Sequence, residues 1–156
     1  IIGKNILICG TTLFIKNPYQ KGFVSFHQDA KYIGLEPHNW VTAWIAVTDS
    51  NEENGCMRMW SGSHKNNLKN HNQKFDEGNL LTRGQTVENV PIDETKPVVS
   101  VPLNSEYLLF IIDLICGESN ATFHIPRLHI YPFQPLVVTF ANPICKSSEF
   151  VLMEVL

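Results

Sequence analysis

Residues 23–65 read FVSFHQDAKYIGLEPHNWVTAWIAVTDSNEENGCMRMWSGSHK, and this stretch decides the fold. Phe23 to His27 is aromatic, β-branched and alternating, the signature of a strand. Residues two apart on a strand share a face. The His27 imidazole and the Asp29 carboxylate are therefore expected on one side, with Gln28 on the other as a structural residue. Leu35 to Trp40 carries Pro37 and reads as a loop. VTAWIAVT (41–48) is almost continuously apolar, as a strand covered on both faces should be. DSNEENG (49–55) is a polar turn in which Gly55 suits a positive φ. CMRMW (56–60) alternates and reads as the next strand of a hairpin. SGSHK and the polar residues through Gly78 form a long loop, a feature that compact domains tend to reserve for function.

Working outward, residues 6–15 (ILICGTTLFI) read as a strand with a bulge at Gly10. Asn17-Pro18 and Gly22 bracket a turn. Residues 86–97 are irregular, with Pro91 and Pro97. Short strands return after that: VVSVP from 98, then EYLLFIIDLI, a stretch around 121–130, and LVVTFAN at 136–142. Many short strands, turn signals between them and almost no helical periodicity indicate an all-β sandwich or barrel.

The chain has 156 residues, of which 44% are hydrophobic and 17% charged, which suits one globular domain spanning residues 1–156. A net charge of -3 gives no electrostatic case for nucleic acid or an anionic membrane as partner. No apolar run reaches the length of a bilayer span, so no membrane partner is expected. IIGKNILICG begins inside an apparent strand, which reads as a chain lacking its natural N-terminal part. Cys9, Cys56, Cys116 and Cys145 form no C-x-x-C pair, which argues against a thiolate zinc site. Cys9 and Cys56 read as buried reduced thiols, for which a cytoplasmic setting is the default. Asn120-Ala-Thr122 matches a glycosylation sequon without a secretory leader to support it.

The chemistry lies at His27 and Asp29. An imidazole and a carboxylate on one face, joined by a third ligand from elsewhere, make the facial triad that holds Fe(II) and leaves coordination positions open. The bland alternative is a polar patch at a strand end, since His-x-Asp alone is a common tripeptide. His38 and His71 lie in polar loops and read as solvated. His64 belongs to a loop anchored by side-chain hydrogen bonds rather than to a ligand set.

Several pieces then occur together: HQD followed by Tyr32, VTAWIAV (41–47), ENGCM (53–57) and SGSHK (61–65). With NILICGTTLFIKNP (5–18) and NLLTRGQ (79–85), they resemble the phytanoyl-CoA dioxygenase family of Fe(II)- and 2-oxoglutarate-dependent oxygenases. The resemblance covers residues 5–102 and becomes ragged beyond. It implies a double-stranded β-helix, a jelly roll of the cupin type, with a helical region ahead of the present residues. It also implies Fe(II) as metal, 2-oxoglutarate as co-substrate, and hydroxylation of a small or lipid-like molecule.

By the same resemblance Trp44 lies beside the 2-oxoglutarate site and Tyr32 shapes the substrate pocket; each reads as packing on composition alone. The family pattern also places a distal histidine on a late strand, followed about ten residues later by an arginine for the co-substrate's far carboxylate. Laid over residues 106–130, the pattern puts Cys116 where the histidine belongs, Ser119 and Asn120 at the polar residues that follow, and Arg127 at the arginine. His124 and His129 are close by with the wrong spacing. Cys116 is thus the candidate third ligand, and Arg127 and Ser119 the candidate co-substrate contacts. The missing histidine keeps an alternative open, an inactive jelly-roll relative, truncated or frame-shifted, that at most binds a ligand. A plain cupin-type domain with another metal is disfavoured, because such sites draw more histidines from the first motif.

Overall fold

A computed structural model describes residues 4–34, 40–73, 75–81, 83–90, 98–105, 107–112, 116–119 and 135–141. In chain order the strands are β1 (Leu7–Leu13), β2 (Val24–Gln28), β3 (Trp40–Ala46), β4 (Met57–Trp60), β5 (His71–Gln73) and β6 (Gln85–Val87). They continue as β7 (Val98–Val101), β8 (Leu108–Ile112), β9 (Cys116–Ser119) and β10 (Pro135–Ala141). One short helix, α1 (Asp29–Ile33), follows β2, and a 3-10 turn spans Ser63–Asn66.

The strands form two four-stranded antiparallel sheets, ordered β1-β10-β3-β8 and β2-β9-β4-β7, with β5 and β6 paired apart. The fold is all-β and of the jelly-roll type expected from the sequence. β3 lies between β10 and β8, and its residues are buried along almost their whole length. This is why its sequence is apolar without alternation. Trp44 and Ala46 of β3 pack with Met57 of β4, joined by Met59, Leu103, Leu109 and Ile111. That cluster is the core between the sheets. Trp60 and Val87, with Phe26, Val90 and Val98, form a second cluster.

The expected hairpin of 41–48 with 56–60 does not form. β3 and β4 belong to different sheets, and the turn between them carries the chain across the core. Gly55 does take a positive φ of 80°, and the buried Lys16 donates to its carbonyl at 3.2 Å. A bridge between Ser50 and Leu103 closes the crossing. Alternation identifies a strand but carries no information about which strand pairs with it. The bulge expected in the first strand is present, as a register shift between Ile8 and Gly10 against β10. β1 is exposed throughout, with Leu7 and Ile8 more than half exposed; Cys9, expected to be buried, is exposed as well, whereas Cys56 is buried.

The HQD strand also departs from simple alternation. Against β9, Val24 pairs with Ser119 and His27 with Gly117. Three steps along β2 thus match two along β9, which is a β-bulge, a device frequent beside functional sites. The strand stops at Gln28, and Asp29 opens α1 rather than continuing the strand. Gly34 ends the helix in the left-handed region at φ 68°, its N–H donating to the Ala30 carbonyl at 3.0 Å. Ala30 packs on the fully buried Trp40 with Ile33 beside them, which fixes α1 against the start of β3. Among the described residues no helix is long and apolar enough to cross a membrane.

Candidate metal centre

His27 and Asp29 meet although one ends a strand and the other begins a helix. Their Nε2 and Oδ1 atoms stand 3.1 Å apart. The Ser25 carbonyl, which can only accept, lies 2.8 Å from His27 Nδ1. Nδ1 therefore carries the proton, and Nε2 is the nitrogen turned to Asp29. Thr42 of β3 donates its hydroxyl to the second oxygen, Oδ2, at 2.9 Å. Each ligand candidate is thus held from behind by a hydrogen bond, the arrangement that orients metal ligands.

A neutral imidazole lone pair and a carboxylate oxygen at this distance repel unless a cation sits between them. In the metal-free protein a second proton on the imidazole would relieve that repulsion. Burial by itself would push the His27 pKa down. The Asp29 hydrogen bond and charge, helped by the Ser25 and Gly117 main chain, outweigh burial and hold it above its ordinary value. For Asp29 burial pulls upward, and the His27 hydrogen bond and charge with the Thr42 hydroxyl bring its carboxyl below the usual range. A divalent ion can take the proton's place. Two ligands about 2.1 Å from one ion at a right angle stand about 3 Å apart, and the pair already has that separation. Imidazole plus carboxylate is a donor set suited to first-row divalent metals including iron. His27 and Asp29 therefore fit two of the ligand positions of such a metal.

The neighbouring shell is dense. Ser25 donates to the Gln85 carbonyl at 3.1 Å and accepts from Asn79 Nδ2 at 2.9 Å. Phe23 bridges Asn79 in parallel register, so the 79–85 segment is tied to the strand that presents His27. Gln28 is fully buried, as a structural role requires; its amide donates to the Asn67 carbonyl at 3.2 Å and accepts from Lys69 N–H at 2.7 Å.

His71, read from sequence as solvated, is instead half-buried on β5. Its Nε2 accepts from the Gln28 main-chain N–H at 3.0 Å, and its Nδ1 donates to the Lys69 carbonyl at 2.9 Å. This pattern requires a neutral ring. Burial, with the His27 and Lys31 charges, lowers its pKa against the opposing Lys69 carbonyl. His64 lies in the 3-10 turn, where its buried Nδ1 has no hydrogen-bond partner, so the anchoring expected of it is not made through that atom. His38 lies outside the described residues.

Trp44 is 7% exposed in the core between the sheets. It is two residues along β3 from Thr42, hence on the face that meets Asp29. Tyr32 lies on α1, where Arg83 stacks over its ring at 5.1 Å and donates to its carbonyl at 3.2 Å. Neither Thr42 nor Arg83 was identified from the sequence: Thr42 is masked by an apolar strand, and Arg83 lies fifty-one positions from its partner.

On β9, the partners of Gly117 are His27 and Met59, while those of Cys116 are Gln28 and Trp60. Cys116 therefore stands one residue off the row of His27, and that row is filled by glycine. Ser119 pairs with Val24 and Met57, two residues along β9 from Gly117. Among the described residues no three His, Cys, Asp or Glu side chains converge to hold a metal. Arg127, His124 and His129 lie outside the described residues.

Residues 2–114 match the family described as Phytanoyl-CoA dioxygenase (PhyH). A phytanoyl-CoA dioxygenase of Arabidopsis thaliana is 34% identical over 116 residues, covering 74% of this chain and 39% of its own length. A phytanoyl-CoA dioxygenase domain-containing protein 1 homolog of Caenorhabditis elegans is 27% identical over 120 residues, covering 74% and 41%. The chain thus spans about two-fifths of the length of these relatives. Among solved structures, the non-heme monooxygenase ThoJ in its apo form superposes with a TM-score of 0.70 at 26% identity, covering 89% of this chain and 47% of that one. EvdO2 of Micromonospora carbonacea var. aurantiaca, complexed with 2-oxoglutarate, shares the fold with a TM-score of 0.69 at 18% identity, covering 93% and 55%.

Proposed function

Because this chain belongs to the phytanoyl-CoA dioxygenase family, we propose that it carries the metal site of an Fe(II)- and 2-oxoglutarate-dependent dioxygenase hydroxylating a small or lipid-like substrate. The observation that supports this reading is the His27–Asp29 pair, with Nδ1 tied to Ser25, Oδ2 tied to Thr42, and Nε2 and Oδ1 left facing each other at 3.1 Å. His27 and Asp29 would hold the iron, which supplies the oxidising chemistry when bound with 2-oxoglutarate as co-substrate. The chain's own residues position and enclose. Trp44 walls the site from the core side, and Tyr32 with Arg83 over its ring borders it on the α1 side. Arg127 would take the far carboxylate of 2-oxoglutarate, a task for which a planar guanidinium is suited, and Ser119 would be a further polar contact. Cys116 remains the sequence candidate for the third ligand.

The test is an anaerobic titration with Fe(II) and 2-oxoglutarate, following the visible charge-transfer band that chelation produces. A saturable one-to-one band is expected, lost in His27→Ala and weakened in Arg127→Ala. Absence of the band from folded protein would overturn the proposal. A second reading, a jelly-roll relative without turnover, is favoured by one observation: the β9 residue in the row of His27 is Gly117. That reading predicts no band at any iron concentration.

A further inference from the structure

We propose that Thr42 is a positioning residue that holds the Asp29 carboxylate with Oδ1 alone turned to the metal, an inference that rests on reading His27 and Asp29 as ligands. Thr42 is 2% exposed in the middle of β3, in a strand otherwise made of Trp, Val, Ala and Ile. A hydroxyl buried there is costly unless it is hydrogen-bonded, and its partner is Asp29 Oδ2 at 2.9 Å. β-branching restricts χ1, so the direction of this donor is set by the strand rather than by a flexible side chain. The frame that carries it is packed as well, with Ala30 and Ile33 of α1 against Trp40 at the start of β3. Asp29 therefore reaches the site from one sheet's end and is clamped from the other sheet.

The consequence concerns the number of oxygens offered. A hydrogen bond to a carboxylate is charge-assisted and among the stronger kinds. Chelation through both oxygens would put the ion and the Thr42 hydroxyl in competition for the same oxygen. With Oδ2 engaged, Asp29 gives one oxygen, and a coordination position stays open for a co-substrate, as an oxygenase site requires. Thr42 acts here through Asp29.

The experiment strips the chain with chelator and titrates Co(II), reading affinity and the visible spectrum of the bound ion. Thr42→Val, nearly isosteric, is expected to weaken binding about 10- to 100-fold, the usual cost of losing an outer partner of a ligand, and to alter the spectrum. Thr42→Ser, which keeps the donor, is expected to restore both. Circular dichroism shows that each variant is folded at the titration temperature, and Thr42→Ala replaces Thr42→Val should the latter fail to fold. A residue with a merely structural role would lower the melting temperature and leave the affinity of folded protein unchanged, and that result would overturn the proposal alone. Wild-type protein that binds no Co(II), or binds it equally in His27→Ala, would overturn the metal-site reading and this inference together.

Discussion

β2 and β9 are hydrogen-bonded neighbours, and they are built in opposite ways. β2 ends in a knot of mutual support. His27 is held by Ser25 and Asp29, Gln28 by Asn67 and Lys69, and its N–H by His71. β9 meets that knot with Gly117 in the row of His27 and Cys116 in the row of Gln28. One strand brings the two candidate ligands together within three residues, with Ser25 close by in sequence and Asn67, Lys69 and His71 reaching in from far along the chain. What the other strand contributes depends on register. A shift of one residue would move Cys116 into the row of His27, because a slip of one exchanges the faces of every residue on a strand.

The largest effect expected from breaking the β2 side comes from Gln28→Ala. The substitution empties a fully buried position and orphans the Asn67 carbonyl and the Lys69 N–H, a loss of about 2 to 4 kcal/mol. Urea denaturation measures it, and proteolysis within the 67–73 segment should accelerate in parallel. A change within experimental error would show that this loop is held by other contacts.

The β9 side is sharpened by Gly117→His. A Cβ at this position lies 3.6 Å from the Arg58 carbonyl and 3.9 Å from Met57 Sδ, ordinary van der Waals contacts. An imidazole in the row of His27 is expected to strengthen Co(II) binding by about tenfold, which is about 1.4 kcal/mol. Cys116→Ser, one row away, is expected to change affinity less than about threefold, a small fraction of the loss in His27→Ala. A large loss in Cys116→Ser together with no gain in Gly117→His would establish the thiolate as the third ligand.

The smallest effects are in pH dependence, where the two histidines act with opposite sign. His27 has a folded pKa raised above its unfolded value near 6.5. Its contribution in metal-free protein is therefore complete below about pH 6.5 and is lost as pH rises through the folded pKa. His71 has a lowered pKa. Its contribution is present above about pH 6.5 and is lost as pH falls through the folded value, when protonation forbids acceptance from Gln28 N–H. Asp29, with its lowered pKa, contributes above about pH 4, and that contribution is lost as pH falls further. Thermal melts of metal-free protein across this range should flatten on the alkaline side in His27→Gln and on the acid side in His71→Gln. Identical profiles in both variants would remove the assigned roles.

The candidate ligands were legible because His27 and Asp29 are two residues apart, and local chain geometry confines such a pair to a few ångströms. The strands β3 and β4 were legible for a related reason: apolar continuity or alternation is a local property of burial, and β1 and β10 carry the same local pattern of β-branched and apolar residues. The reason given for the His27–Asp29 convergence was only partly right. A bulge lies in β2, and Asp29 belongs to a helix, so the faces do not follow from counting by twos. The 56–60 strand was recognised and its partner mistaken, because a hairpin and a crossing between sheets have the same alternation.

What the sequence determined by itself was therefore the all-β composition of the chain, the family pattern, and the local pair His27–Asp29. Tertiary structure decided what surrounds that pair. Thr42 meets Asp29 because α1 packs on Trp40, His71 meets Gln28 across forty-three positions, and Arg83 stacks on Tyr32 through the strap that bridges Phe23. It also decided that Gly117 rather than Cys116 occupies the row of His27. The physical reason is that burial and turn preference act on neighbouring residues and are written locally. Strand register and side-chain partnership are instead fixed by which distant surfaces close on one another, and a polar residue such as Thr42 shows its purpose only once its partner has arrived.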